Sequence, residues 1–194
     1  MALILAAMTP DNRRVVQVSL ATGLRIGDVL SLPTSKVAEK QRISVRDSKT
    51  GKSHRVWLPQ ELRLELLANA GPVWVFPGRN DRSKHRTRNT VYKDMIKAAD
   101  TVKRAGWLDP KKHISPHSAR KIAAVKTYQR GGLIAAQRML MHDTDHPEVT
   151  LLYALANQME SRPNSKRRRR RNVVKSILSP QNGQHAQGEG STAD

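Results

Sequence analysis

The stretch Ala21-Thr22-Gly23-Leu24-Arg25-Ile26-Gly27-Asp28-Val29-Leu30-Ser31-Leu32 joins two helical patterns through a glycine. Gly23 ends the first helix, because glycine takes the left-handed backbone at a helix C-terminus without a steric penalty. Arg25 opens the second, a short helix from Arg25 to Leu32. Asp28 follows on the same face three residues later, placed to orient the Arg25 guanidinium. Taken alone, the segment is equally a capped helix start with a surface ion pair. The rest of the chain has to decide between these readings.

Working outward, Thr9-Pro10-Asp11 marks the start of the first helix, with Thr9 as cap and Pro10 in the first turn. It runs through Val15, Val16, Val18 and Leu20 to Gly23. The apolar run Ala2 to Met8 is too short to span a bilayer, and no Lys or Arg precedes it as in a secretory signal. It reads as the start of a helix. On the other side, Arg42 to Asp47 alternates and is β-branched, Ser48 to Lys52 is turn-like, and His54 to Leu58 is a returning strand. This is a hairpin, with Gly51 supplying the unusual backbone angle. Helices are expected over Pro59 to Ala70 and Asn89 to Gly106, the latter with Val91, Ile96, Ala99 and Val102 at helical spacing. Val73 to Phe76 reads as a short strand between them. Ser115-Pro116 starts a helix that stops at Gly131-Gly132; Leu133 to Met141 and Pro147 to Gln158 are helical in turn. The fold class is therefore α+β, mostly α-helical with a small antiparallel sheet.

The 194 residues carry 35 Lys+Arg against 16 Asp+Glu, a formal net charge of +19. A charge of this size calls for a polyanionic partner, with nucleic acid first and an anionic membrane surface second. At 38% apolar the chain has enough for a core. The absence of cysteine excludes disulfides, thiolate zinc sites and cysteine nucleophiles. Composition changes after Arg162-Pro163, where an unbroken cationic run, Lys166 to Arg171, gives way to Gly, Gln, Ser and Asn. We divide the chain into a folded domain, 1–160, and a basic tail, 161–194, expected to be disordered. The run reads as an extra DNA-binding arm, as an RNA or membrane patch or nuclear address, none of which the rest of the chain supports, or as a solvated spacer.

Four further features carry chemistry. His117 and Arg120 share one face at the N-terminus of the Pro116 helix, where backbone N–H groups already favour an anion. The same spacing also occurs on ordinary exposed helix faces. Lys49 sits in the hairpin turn, flanked by Lys52 and Arg55, where it can reach a DNA groove or simply keep the turn in water. His142 follows Met139-Leu140-Met141 at a helix end, and Tyr153 lies among Leu151, Leu152, Ala154 and Leu155. A tyrosine there is a core residue with its hydroxyl at the edge, or a nucleophile presented from a packed helix. Finally, Arg79, Arg82, Lys84, Arg86 and Arg88 crowd the loop before the long helix. Such a loop is expected to contact a phosphate backbone, setting affinity more than sequence choice, or else is simply solvated.

In order along the chain, Arg25, Lys49, His117, Arg120, His142 and Tyr153 resemble the catalytic set of the tyrosine recombinase (phage integrase) family. The strings A-T-G-L-R-I-G-D-V-L-S-L, S-K-T-G-K-S-H-R-V-W-L-P, I-S-P-H-S-A-R-K and L-M-H…L-L-Y carry the resemblance over residues 10–158. It departs from the family at Ala119 and Lys121, where leucine and histidine are usual, and at Met141, where glycine is usual. The segment from His142 to Tyr153 is longer than usual and acidic, and His146 competes there with His142 for its role.

The resemblance implies a site-specific DNA recombinase working without metal or cofactor. Tyr153 would attack a backbone phosphate to give a 3′-phosphotyrosyl link. Arg25 and Arg120 would hold the non-bridging oxygens, and Lys49 would protonate the leaving 5′-oxygen. His117 would assist proton transfer, and His142 would hydrogen-bond the phosphate. Double-stranded DNA, further copies of the chain assembled on it, and an accessory DNA-bending protein are the implied partners; a membrane is not among them. Lys52, Arg55, Arg82, Lys84, Arg86 and Arg88 would bind DNA. The implied location is the bacterial cytoplasm, for a chain of phage or mobile-element origin. Most members carry a DNA-clamping helical domain ahead of this one. A catalytic-only recombinase and a fragment of a longer one fit the sequence equally. An inactive DNA-binding relative and a type IB topoisomerase-like relaxing enzyme are the rival readings.

Overall fold

In the computed structural model the described residues are 1–140, Thr50 excepted, and of His54 the backbone alone is described. The expected helix over Pro147 to Gln158, His142, Tyr153 and the domain boundary at residue 160 lie outside them.

The chain opens with two helices, α1 (Ala2–Ala7) and α2 (Pro10–Thr22), separated at Met8. Pro10 stands in the first turn of α2, and Gly23 closes it at φ 74°, as the sequence leads one to expect. Thr9 is the N-cap, but its side chain does not cap the helix. Both its backbone N–H and its hydroxyl donate to Asp94, as does the Asn12 amide. One carboxylate from a distant helix thus satisfies the start of α2. Val15, Val16 and Val18 are fully buried.

After Gly23 come α3 (Ile26–Leu30), with Arg25 at its N-cap, and α4 (Thr34–Glu39), a helix not foreseen from sequence. Strands β1 (Arg42–Arg46) and β2 (Ser53–Trp57) form an antiparallel pair in which Val45 faces His54 and Ile43 faces Val56. The inward residues Ile43, Val45 and Val56 join the core, while Arg42, Ser44 and Arg46 point outward. The turn closes with Asp47 N–H donating to the Lys52 carbonyl and Gly51 N–H to the Asp47 carbonyl. Gly51 has φ 71°.

Helix α5 (Gln60–Ala68) follows, then α6 (Arg88–Arg104) and α7 (Pro116–Leu140). The strand expected over Val73 to Phe76 is reduced to single bridges, Pro33 with Trp74 and Pro77 with His85. Proline has no N–H to extend a ladder, so both pairings stop where they begin. On α6 the buried face is Val91, Met95, Ala98, Ala99 and Val102, with Ile96 only half-buried. Helix α7 breaks at Gly132 (φ 71°, ψ −169°), so the expected stop is a kink between two helical halves. Helix α2 packs against α6 and α7, and α1 lies on α6. Among the described residues, no helix is long and apolar enough to cross a membrane.

Gly23 is constrained twice. Its backbone is left-handed, and a Cβ there would come within 2.9–3.0 Å of the Met139 side chain. Replacing it with alanine is expected to cost about 1–2 kcal/mol from backbone strain, the flexible Met139 absorbing the contact. Urea unfolding of Gly23→Ala measures this, and unchanged stability would contradict the assigned backbone.

Candidate functional site

The break at Gly23 turns the chain so that Arg25 emerges beside the start of α7. The two elements frame a cleft of about 120 Å³, lined by Arg25, Ile26, Gly27, Ser48, Arg88, Pro116, His117 and Arg120. Four elements contribute: the α2–α3 corner, the hairpin turn, the first residue of α6 and the start of α7.

Arg120 is almost wholly buried, at 7% exposure. Its guanidinium donates to the Gly23 carbonyl at 2.6 Å and to the Leu140 carbonyl. Hydrogen bonds from a charged donor are worth about 1.5–3 kcal/mol each, enough to hold so costly a buried charge in place. Arg25 is held differently. Its guanidinium meets the carboxylate of Asp47, at the foot of the hairpin turn. Asp47 also accepts from the Lys49 backbone N–H at 2.9 Å.

Asp28 therefore does not orient Arg25, contrary to the sequence expectation. It is 1% exposed and accepts from the Ser48 backbone N–H at 3.1 Å. Three-residue spacing on a helix favours such a pair only where both residues lie inside the helix; Arg25 is the N-cap, with extended backbone. The two acids together fix the hairpin turn against α3. Asp47 was missed because it reads from sequence as the end of a strand.

His117 joins Arg25 and Arg120 in the cleft, as expected. Its pKa is lowered from the ordinary value by partial burial first, then by Arg88, Arg120, Arg25 and Lys121. Each cation disfavours a second positive charge on the ring. Lys49 is exposed on the turn beside Ser48 and does not itself line the cleft.

The loop before α6 is more built than its composition suggests. Asp81 accepts from the Ser83 backbone and hydroxyl, Trp74 Nε1 donates to the Ser83 carbonyl, and the His85 ring sits edge-on to Trp74. Arg86, expected to bind DNA, makes a structural tie. It donates to Asn12 at 2.9 Å and to Asp11 at 2.7 Å, clamping the loop to α2. Arg82 is exposed, as is Lys84, which makes a surface pair with Asp81 at 3.4 Å. Arg55 is exposed on β2 and Lys52 on the turn. Arg88, also exposed, is among the residues that line the cleft.

A family model described as "Phage integrase family" matches residues 2–159. None of the curated protein sequences matches the chain. Among solved structures, a lambda integrase dimer bound to a COC′ core site is 18% identical, with a TM-score of 0.64 over 79% of this chain and 56% of that one. XerA recombinase is 18% identical, with a TM-score of 0.54 over 88% and 62%. The catalytic domain of bacteriophage HP1 integrase is 23% identical, with a TM-score of 0.52 over 84% and 92%. The chain thus spans 56–62% of the lambda integrase and XerA chains, and most of the HP1 domain.

The electrostatics of the cleft have a measurable sign. His117 should titrate below 6.5 in an NMR pH series, and Arg88→Ala should move its midpoint upward by removing a like charge. The unfolded chain then takes up the proton more readily than the folded one. His117 accordingly opposes folding as pH falls through the ordinary histidine range.

Proposed function

The chain belongs to the phage integrase family, and from that premise we propose that it is a site-specific DNA recombinase of the tyrosine class. The observation that carries the reading is the cleft that brings Arg25, His117 and Arg120 together from segments nearly a hundred residues apart. The fold, shared with recombinase catalytic domains, supports it.

In this reading a DNA backbone phosphate occupies the cleft. Arg25 and Arg120 meet its non-bridging oxygens; each keeps its charge at any working pH and is already held in place by Asp47 or by backbone carbonyls. Such pre-set donors stabilise charge that grows on the phosphate in the transition state without further reorganisation. Tyr153 supplies the nucleophile. Its phenolic oxygen bonds to phosphorus, the bond from phosphorus to the 5′-oxygen breaks, the phenol proton passes to a base and the departing 5′-oxygen takes up a proton. His117, whose pKa is lowered by partial desolvation and its cationic neighbours, is suited to accept that first proton. Lys49, on the hairpin turn next to Ser48, delivers the second. His142 completes the phosphate contacts.

The phosphotyrosyl ester conserves the energy of the broken bond, so rejoining needs no nucleotide. Lys52, Arg55, Arg82 and Lys84 meet the flanking duplex backbone. Exchange between two sites requires several copies on DNA, with an accessory DNA-bending protein as a further partner.

The test is a covalent-adduct assay on nicked duplexes drawn from the protein's own locus, resolved on a denaturing gel. Wild type should form an adduct that Tyr153→Phe abolishes, and Arg25→Ala should slow it by about 10²–10³-fold. Salt-sensitive binding with no adduct would replace this reading by that of a non-catalytic DNA-binding relative.

A further inference from the structure

From sequence, Arg88 belongs with the loop cations that hold flanking DNA backbone. Its place in the structure points elsewhere. It is the first residue of α6, directly after the Thr87 cap, whose hydroxyl accepts from Thr90 N–H. From there it lines the same cleft as Arg25, His117 and Arg120.

The three arginines of the cleft are not equivalent. Arg25 is matched by the Asp47 carboxylate. Arg120 is turned toward the Gly23 and Leu140 carbonyls. Arg88 makes no hydrogen bond or ion pair among the described residues. Its guanidinium therefore brings charge and donors to the cleft that no described protein group has claimed. Attack by a phenolic oxygen adds a second negative charge to the phosphorus oxygens as the transition state forms. A cation with no partner among the described residues favours, at that point, the transition state over the ground state, which is the condition for accelerating a reaction.

Resting on the reading proposed above, we infer that Arg88 is a further phosphate-binding residue of the reaction cleft, meeting a non-bridging oxygen of the phosphate that is cut. This distinguishes it from Arg82 and Lys84, whose contacts would be to flanking phosphates and equally strong before and during reaction.

The two roles separate kinetically. A contact of equal strength in ground and transition states changes affinity alone, whereas one that strengthens in the transition state changes the rate at saturation. Adduct formation by wild type, Arg88→Ala and Arg88→Lys is followed under single-turnover conditions at saturating protein, on the same nicked duplexes. Duplex affinity and thermal melting are measured alongside. Arg88→Ala should melt with wild type, since no described contact is lost, and should form adduct about 10- to 100-fold more slowly. Arg88→Lys, which keeps the charge but not the planar fork, should fall between the two. A saturating rate within about twofold of wild type, with any loss confined to affinity, would overturn the inference and return Arg88 to the flanking backbone. An Arg88→Lys rate no better than that of Arg88→Ala would equally overturn it, because charge would then not be what Arg88 supplies. Failure of wild type to form adduct would instead bring down the recombinase reading itself, and the inference with it.

Discussion

Much of the described structure depends on one buried guanidinium. Arg120 reaches from the first half of α7 to the Gly23 carbonyl, where α2 ends, and to the Leu140 carbonyl, on the far side of the kink at Gly132. A buried cation must be surrounded by acceptors, and these two come from separate stretches of chain. Satisfying Arg120 therefore sets how the corner at Gly23 sits against both halves of α7. That corner in turn aims Arg25, the next polar residue, into the cleft. The demand of one charge for partners organises the site.

Around this centre the acidic residues act as rigging. Asp47 and Asp28 bind the hairpin turn to α3 through Arg25 and the Ser48 N–H, and Asp11 receives both Arg14 and Arg86. In a chain so rich in cations, the carboxylates decide which cations are spoken for. Arg86 is tied down within the fold, whereas Arg88, two residues on, lines the cleft. Cation count along the loop cannot make that distinction.

The sequence was legible where a residue type admits few conformations. Gly23, Gly51 and Pro10 announced their turns, and the alternation of Arg42 to Asp47 announced its strand. The cleft members Arg25, His117 and Arg120 were readable because their order along the chain resembles the catalytic set of a known family. The partner of Arg25 was not, since Asp47 lies 22 positions away and pairing across a turn leaves no periodic trace. Helix α4 was also hidden: Thr34–Glu39 is six residues long, and only Val37 is buried. So short a helix owes its existence to what surrounds it. Arg63, from α5, donates to the carbonyls of Val37 and Ala38 near its end, a support no local reading could supply.

The Asp94 carboxylate at the start of α2 has a consequence for the order of assembly. Most helices carry their own cap and can begin to form as soon as the chain is made. Here the group that anchors Thr9 and Asn12 arrives from more than eighty residues downstream. The backbone of the first turn closes locally, through Arg13 N–H and the Thr9 carbonyl, but the bonds to Asp94 can form only where α6 lies against α2, so this helix start is tied to a long-range contact of the fold.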